Sequence, residues 1–225
     1  MTDTAAATQS DAGSAPTIDV VSDVVCPWCY IGKRRLEAAL ASRDEPPPLV
    51  RWHPFQLNPD LPAGGIDRKS YLEDKFGGPD GARTVYARVE EAGREVGIPF
   101  DFERIRRQPN TSDAHRLIAW AQAIDLARAD GLVERLFKAY FIEGVDIGDV
   151  EQLAHLAAEV GYDAEAARAH LGSDAGRAEV AAADQRTKSM GIGGVPFFIF
   201  DHRLAVSGAQ PPHVLLEAMT QAAGA

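Results

Sequence analysis

The stretch Val25-Cys26-Pro27-Trp28-Cys29-Tyr30, VCPWCY, contains both cysteines of a 225-residue chain. Two cysteines placed at random would fall three positions apart in roughly 1% of arrangements, so the spacing carries information. A structural disulfide, a metal clamp and a redox centre all use such a pair. A disulfide closing so short a loop adds little stability, because the stabilisation grows with the length of chain enclosed. Structural zinc takes four ligands, and there is no second cysteine pair. The six histidines (His53, His115, His155, His170, His202 and His213) include no two spaced three to five apart. No metal site is therefore expected, and a redox pair remains.

The flanking residues suit that chemistry. TIDVVS (17–22) is a β-branched run that reads as a strand. IGKRRLEAALASR (31–43) is rich in helix formers up to the stop at Pro46, Pro47 and Pro48. Cys26 thus stands at a strand-to-helix junction, with Pro27 and Trp28 opening the helix. Unpaired N–H groups of a first helical turn are expected to point at its sulfur, and the helix dipole favours an anion there. Such positions lower a thiol pKa from about 8.5 into the range of roughly 3.5–7.5. Cys29, one turn on, is expected to be shielded and to keep a higher pKa. Cys26 would attack a substrate disulfide and Cys29 would resolve the mixed disulfide, with Pro27 and Trp28 adjusting the thiolate. Lys33 reads as a solvated lysine, and Asp23, three residues before Cys26, carries no assigned role.

Composition sets wider bounds. With 45% hydrophobic and 25% charged residues, the chain can bury a core without cysteine staples. A net charge of −10 argues against nucleic acid and anionic membrane surfaces as partners. No segment approaches the roughly 18 consecutive apolar residues of a membrane span. Residues 1–16 are small and polar and lack the patterns of a secretory signal or transit peptide, so a disordered tail is expected. The expected setting is the cytoplasm, where thiols are kept reduced.

Along the chain, LVRWHPF (49–55) reads as a second strand. Helices are expected over 68–76, 79–96, 112–126, 130–140, 149–160, 163–171 and 173–190, with Asp149 and Gln152 at capping-box spacing. GGVPFFIF (193–200) and LAVSG (204–208) read as a hairpin turning at DHR (201–203), and Pro211-Pro212 opens a last helix. The expected organisation is α/β: a small sheet domain from 17–56 and 192–225, interrupted by a helical domain over 57–191.

These motifs resemble a known family. VCPWCYIG after a strand, the distant GVPFFIF and SGAQPP before a final helix resemble the DsbA-like branch of the thioredoxin superfamily. FQLNPDLP (55–62), YLEDKFGG (71–78) and PNTSDAHRL (109–117) extend the likeness to cytoplasmic FrnE-type oxidoreductases. The resemblance implies a thioredoxin-like fold with a large all-helical insertion. It implies a thiol–disulfide oxidoreductase or isomerase acting on protein disulfides, with no tightly bound cofactor beyond a Cys26–Cys29 redox disulfide. Glutathione, as co-substrate, or thioredoxin would be the redox partner. The resemblance also implies that Pro196 is a cis-proline beside the cysteines. Val195 would then offer its backbone N–H and C=O to an extended substrate segment.

A second branch, the kappa-class glutathione transferases and hydroxychromene-carboxylate isomerases, is similar around Asn110-Thr111 and Asp113-Ala114-His115. It carries serine where Cys26 stands and lacks the second cysteine, which favours redox chemistry here. Glutathione-dependent isomerisation or transfer on small aromatic substrates is the alternative. Asn110 and Thr111 read as helix caps. Trp28 and Phe55 suit either a peptide groove or packing, Phe55 more the latter.

Overall fold

A computed structural model describes residues 16–224 of the chain. The tail expected at 1–16 lies, except for Pro16, outside the described residues. Strand β1 (Thr17–Ser22) is buried over its last five residues and forms the middle of the sheet. It pairs in parallel with β2 (Leu49–Pro54), Val20 facing Trp52, and antiparallel with β5 (Phe197–Phe200), Val20 facing Phe198. Strand β6 (Leu204–Ser207) completes the order β2-β1-β5-β6. The parallel pair needs a crossover, and helix α1 (Pro27–Ala41) supplies it. The β5–β6 hairpin turns on Asp201 and His202, both left-handed at φ 49° and 56°. Asp201 is tied to β1 from both sides: its amide donates to the Thr17 carbonyl at 3.0 Å, and its carboxylate accepts from the Thr17 amide at 2.7 Å. Helix α9 (Pro212–Ala223) packs on α1 and β6.

Between β2 and β5 run α2 (Arg68–Phe76), α3 (Pro79–Glu95), α4 (Ser112–Ile124), α5 (Leu126–Lys138), α6 (Val150–Glu159), α7 (Ala164–Gly172) and α8 (Arg177–Ser189). Local capping places several ends where the sequence put them. Asp149 accepts from the Gln152 amide at 2.9 Å, and Asp163 from the Ala166 amide at 2.8 Å. Thr111 occupies the α4 cap position but makes no side-chain cap bond; Asn110 Oδ1 accepts from the Ser112 amide instead.

Other boundaries depart from the sequence reading. The helix expected at 130–140 starts at Leu126, because the Asp125 carboxylate caps it immediately after α4 ends. It then runs into a π-helical turn, Ala139–Glu143, closed by Gly144. The helix expected from 173 starts at Arg177, because residues 170–175 turn their carbonyls onto buried Arg116. Its guanidinium donates to the carbonyls of His170, Leu171, Ser173 and Ala175. Two-residue strands β3 (Ile66–Asp67) and β4 (Arg107–Gln108) are too short to leave a periodic signal.

One hydrophobic cluster joins the sheet to the helices, from Ile18, Val20 and Phe198 to Leu117, Leu136 and Phe141. Helix α1 is clamped to α5 within it. Tyr30 stacks on Phe137 at 5.0 Å between centroids, and its hydroxyl donates to Glu134 at 2.8 Å. Lys33, read from sequence as solvated, is only 2% exposed. It donates to Asp130 at 2.9 Å and to Glu37, with Glu134 3.6 Å away. Burial opposes the ammonium charge, but Asp130 and Glu37 outweigh it and hold the lysine pKa above its ordinary value.

On its other side α1 meets the loop before β5 through Gly32. A Cβ there would stand 2.8 Å from Pro196 Cγ and 3.1 Å from Phe198 Cζ. Alanine improves helix propensity over glycine by about 1 kcal/mol, but overpacking a closed contact costs typically about 1–3 kcal/mol. Gly32→Ala is therefore expected to lower stability, read as a lower urea midpoint at unchanged m-value.

Candidate active site

Strand β1 ends at Ser22, and a turn closed by the Cys26 amide on the Asp23 carbonyl (3.0 Å) leads into α1. Cys26 is the extended N-cap, at φ −93° and ψ 112°, and its carbonyl accepts from the Cys29 amide at 3.0 Å. Pro27 takes the first helical position, where a missing N–H costs nothing. The sulfur takes no cap bond from the first turn, contrary to the sequence expectation. The cysteines are free thiols, and a thiol is a donor; Cys26 Sγ–H points at the Val195 carbonyl, 3.7 Å away. The Val195–Pro196 peptide bond is cis.

Cys29 lies 3.5 Å from Cys26 and is only 1% exposed. Burial, and then the neighbouring Cys26 side chain, push its pKa well above an ordinary thiol's; the Ser22 hydroxyl and the Asp23 amide pull partly the other way. Cys26 is 5% exposed, yet it forms a wall of an open cavity of about 240 Å³. Trp28, 37% exposed, sits at the same cavity beside Leu57 rather than in the core. Phe55 packs instead behind the proline loop with Val21, Ile192 and Val195.

Residues without a sequence-derived role complete the surroundings. Asp23 is fully buried, and its Oδ2 accepts from the Leu57 amide at 2.8 Å. Its Oδ1 lies 3.4 Å from buried His115 Nε2, and neither atom has a hydrogen-bond partner. The Ser22 hydroxyl beside Cys29 is also buried without a partner. Arg68, Tyr71 and Tyr86 line the cavity from α2 and α3. Ser22 and Asp23 lie close to Cys26 in sequence, whereas His115, Arg68, Tyr71 and Tyr86 are brought in from far along the chain.

A family profile described as DSBA-like thioredoxin domain matches residues 17–220. Among solved structures, the chain is similar to a probable DsbA oxidoreductase, SCO1869 from Streptomyces coelicolor. The two share 32% identity at a TM-score of 0.82, covering 93% of this chain and 90% of that one. A cytosolic disulfide reductase, DsbM from Pseudomonas aeruginosa with GSH, shares 22% identity at a TM-score of 0.63, covering 91% and 99%. The uncharacterized protein YwbO of Bacillus subtilis (strain 168) is 30% identical over 146 residues, spanning 65% of this chain and 66% of the relative, just short of two thirds.

The raised pKa of Cys29 has a stability consequence. An unfolded thiol ionises near pH 8.5, whereas native Cys29 stays protonated there, so the unfolded state binds fewer protons and stability falls as pH rises above that point. The reduced protein is expected to lose up to about 1.4 kcal/mol per pH unit more than Cys29→Ser between about pH 8.5 and 10. Urea unfolding across that range checks it. Tyr30 and Tyr140, both pushed up by burial, add a further decline above about pH 10 in both proteins.

Proposed function

The chain belongs to the DSBA-like thioredoxin domain family, and from that footing we propose that it is a thiol–disulfide oxidoreductase or isomerase of protein disulfides, with Cys26 attacking and Cys29 resolving. The observation that carries this reading is the Cys26 thiol at a helix start, against the Val195 carbonyl, with Cys29 buried beneath it.

Deprotonated Cys26 attacks one sulfur of a substrate disulfide. A Cys26–substrate S–S bond forms, and the other substrate sulfur leaves as a thiolate that takes a proton. The mixed disulfide no longer carries charge on Cys26, which removes one of the influences raising the Cys29 pKa. Cys29 then loses its proton and attacks Cys26 Sγ. The Cys26–Cys29 disulfide forms, and the second substrate sulfur departs and is protonated. Two electrons pass to the substrate; the reverse sequence oxidises a dithiol.

Val195 would pair with an extended substrate segment through its backbone, with Pro27, Trp28 and Pro196 bordering it. Glutathione is the proposed reductant that restores the dithiol, and the cytoplasm the proposed setting. Both are supported by the likeness to DsbM, described as cytosolic and as holding GSH. Cys26→Ser should drop disulfide reduction to the uncatalysed rate. Cys29→Ser should accumulate mixed disulfides with substrate, seen as adducts on non-reducing gels that dithiothreitol releases. Wild-type rates in both variants would end the proposal.

A further inference from the structure

Arg68, the first residue of α2, is 5% exposed, yet its guanidinium meets only neutral groups. Nη1 donates to the Gln108 side-chain carbonyl and Nη2 to the Tyr86 hydroxyl at 2.5 Å, while Nε is buried without a partner. The rings of Tyr71, Tyr86 and Tyr140 stand 5.9, 5.6 and 5.7 Å from its central carbon. Among the described residues, no carboxylate lies within ion-pair distance of it. The other deeply buried cations are answered: Lys33 by Asp130, Glu37 and Glu134, and Arg116 by Asp113. A buried charge without a counter-charge is costly, and neutral donors and aromatic rings offset that cost only in part, so an anion brought here would find a complementary partner.

Arg68 borders two cavities; one is also lined by Glu73, Asp101 and Glu103, and the other lies beside Cys26. In the latter Lys75 stands with Arg68, and no aspartate or glutamate borders it, although the chain as a whole carries −10. The Lys75 ammonium donates to the Tyr71 hydroxyl at 2.6 Å, a neutral partner. The Tyr86 hydroxyl accepts from Arg68, so its own proton is left to offer. Burial keeps that phenol protonated. At about 240 Å³ the cavity is smaller than the roughly 300–1,000 Å³ of most ligand pockets, and admits one acidic side chain or the acid end of a small thiol.

We propose that this cavity is a carboxylate-recognition subsite: it takes a carboxylate carried by the disulfide that Cys26 attacks, and Arg68 supplies the counter-charge. The forked donors of arginine match a carboxylate in a way a point charge does not. This inference rests on the reading of Cys26 as the attacking thiol.

The test compares dithiodipropionate with its diamide, two disulfides of the same size that differ in charge. Rates are normalised to the reactivity of each toward dithiothreitol. The wild-type protein should favour the diacid in kcat/KM by roughly tenfold or more. Arg68→Gln should bring the ratio towards one, and Arg68→Lys should restore part of it. Equal use of both by the wild type, or the same preference in a folded Arg68→Gln, overturns the proposal. Oxidised glutathione and peptide disulfides with Glu or Gln beside the cysteine separate the sources. Glu over Gln assigns the subsite to acidic protein segments; preference confined to the small diacids assigns it to small thiols. If neither disulfide reacts, the functional reading fails, and alkylation of Cys26 decides the subsite alone. Faster modification by iodoacetate relative to iodoacetamide, lost in Arg68→Gln, upholds it; no such preference overturns it.

Discussion

Everything at the site depends on how closely helix α1 approaches the ring of Pro196. Gly32 leaves no Cβ between them, and an added one would lie 2.8 Å from the ring. That approach brings the Val195 carbonyl to 3.7 Å from the Cys26 sulfur, across 169 residues of chain. Both halves are held by central strands. β1 ends in the turn that leads to Cys26, and β5 begins directly after Pro196 and pairs with β1. The backbone ladder between them therefore fixes the distance between the thiol and its carbonyl partner.

The opposite side of α1 answers to the helices inserted between β2 and β5. Tyr30 and Lys33 bind it to α5 through stacked rings and shared carboxylates. Since α2 and α3 also wall the cavity in front of Cys26, the helical region would shape the proposed substrate approach as well as bracing α1. A continuous core running through both regions makes these two roles inseparable.

Desolvation sets the two cysteines apart. They are adjacent in space and three apart in sequence, yet Cys26 borders open space while Cys29 is sealed beneath it. Removing a thiolate from water raises its energy, so the inner sulfur holds its proton, and in the proposed function the outer one meets the substrate. The polar groups around Cys29, Ser22 and Asp23, moderate that penalty without cancelling it.

Much of this was legible in the residues themselves. The strand at 17–22, the helix start at Pro27, the span of α2 and the caps at Asp149 and Asp163 depend on interactions within a few residues. A sequence states such interactions directly through hydrophobic period and side-chain type. The cysteine spacing likewise pointed to the pair on which the proposed chemistry rests. What only the tertiary structure decided is the fate of charges and the ends of packed helices. Lys33 reads as solvated until α5 presents its carboxylates, and nothing local marks Arg116 as buried before four distant carbonyls close on it. Arg68 looks like any helix-opening arginine until the fold surrounds it with tyrosines and withholds an acid. These outcomes are set by partners tens of residues away, and no local pattern in the chain encodes which of them will meet.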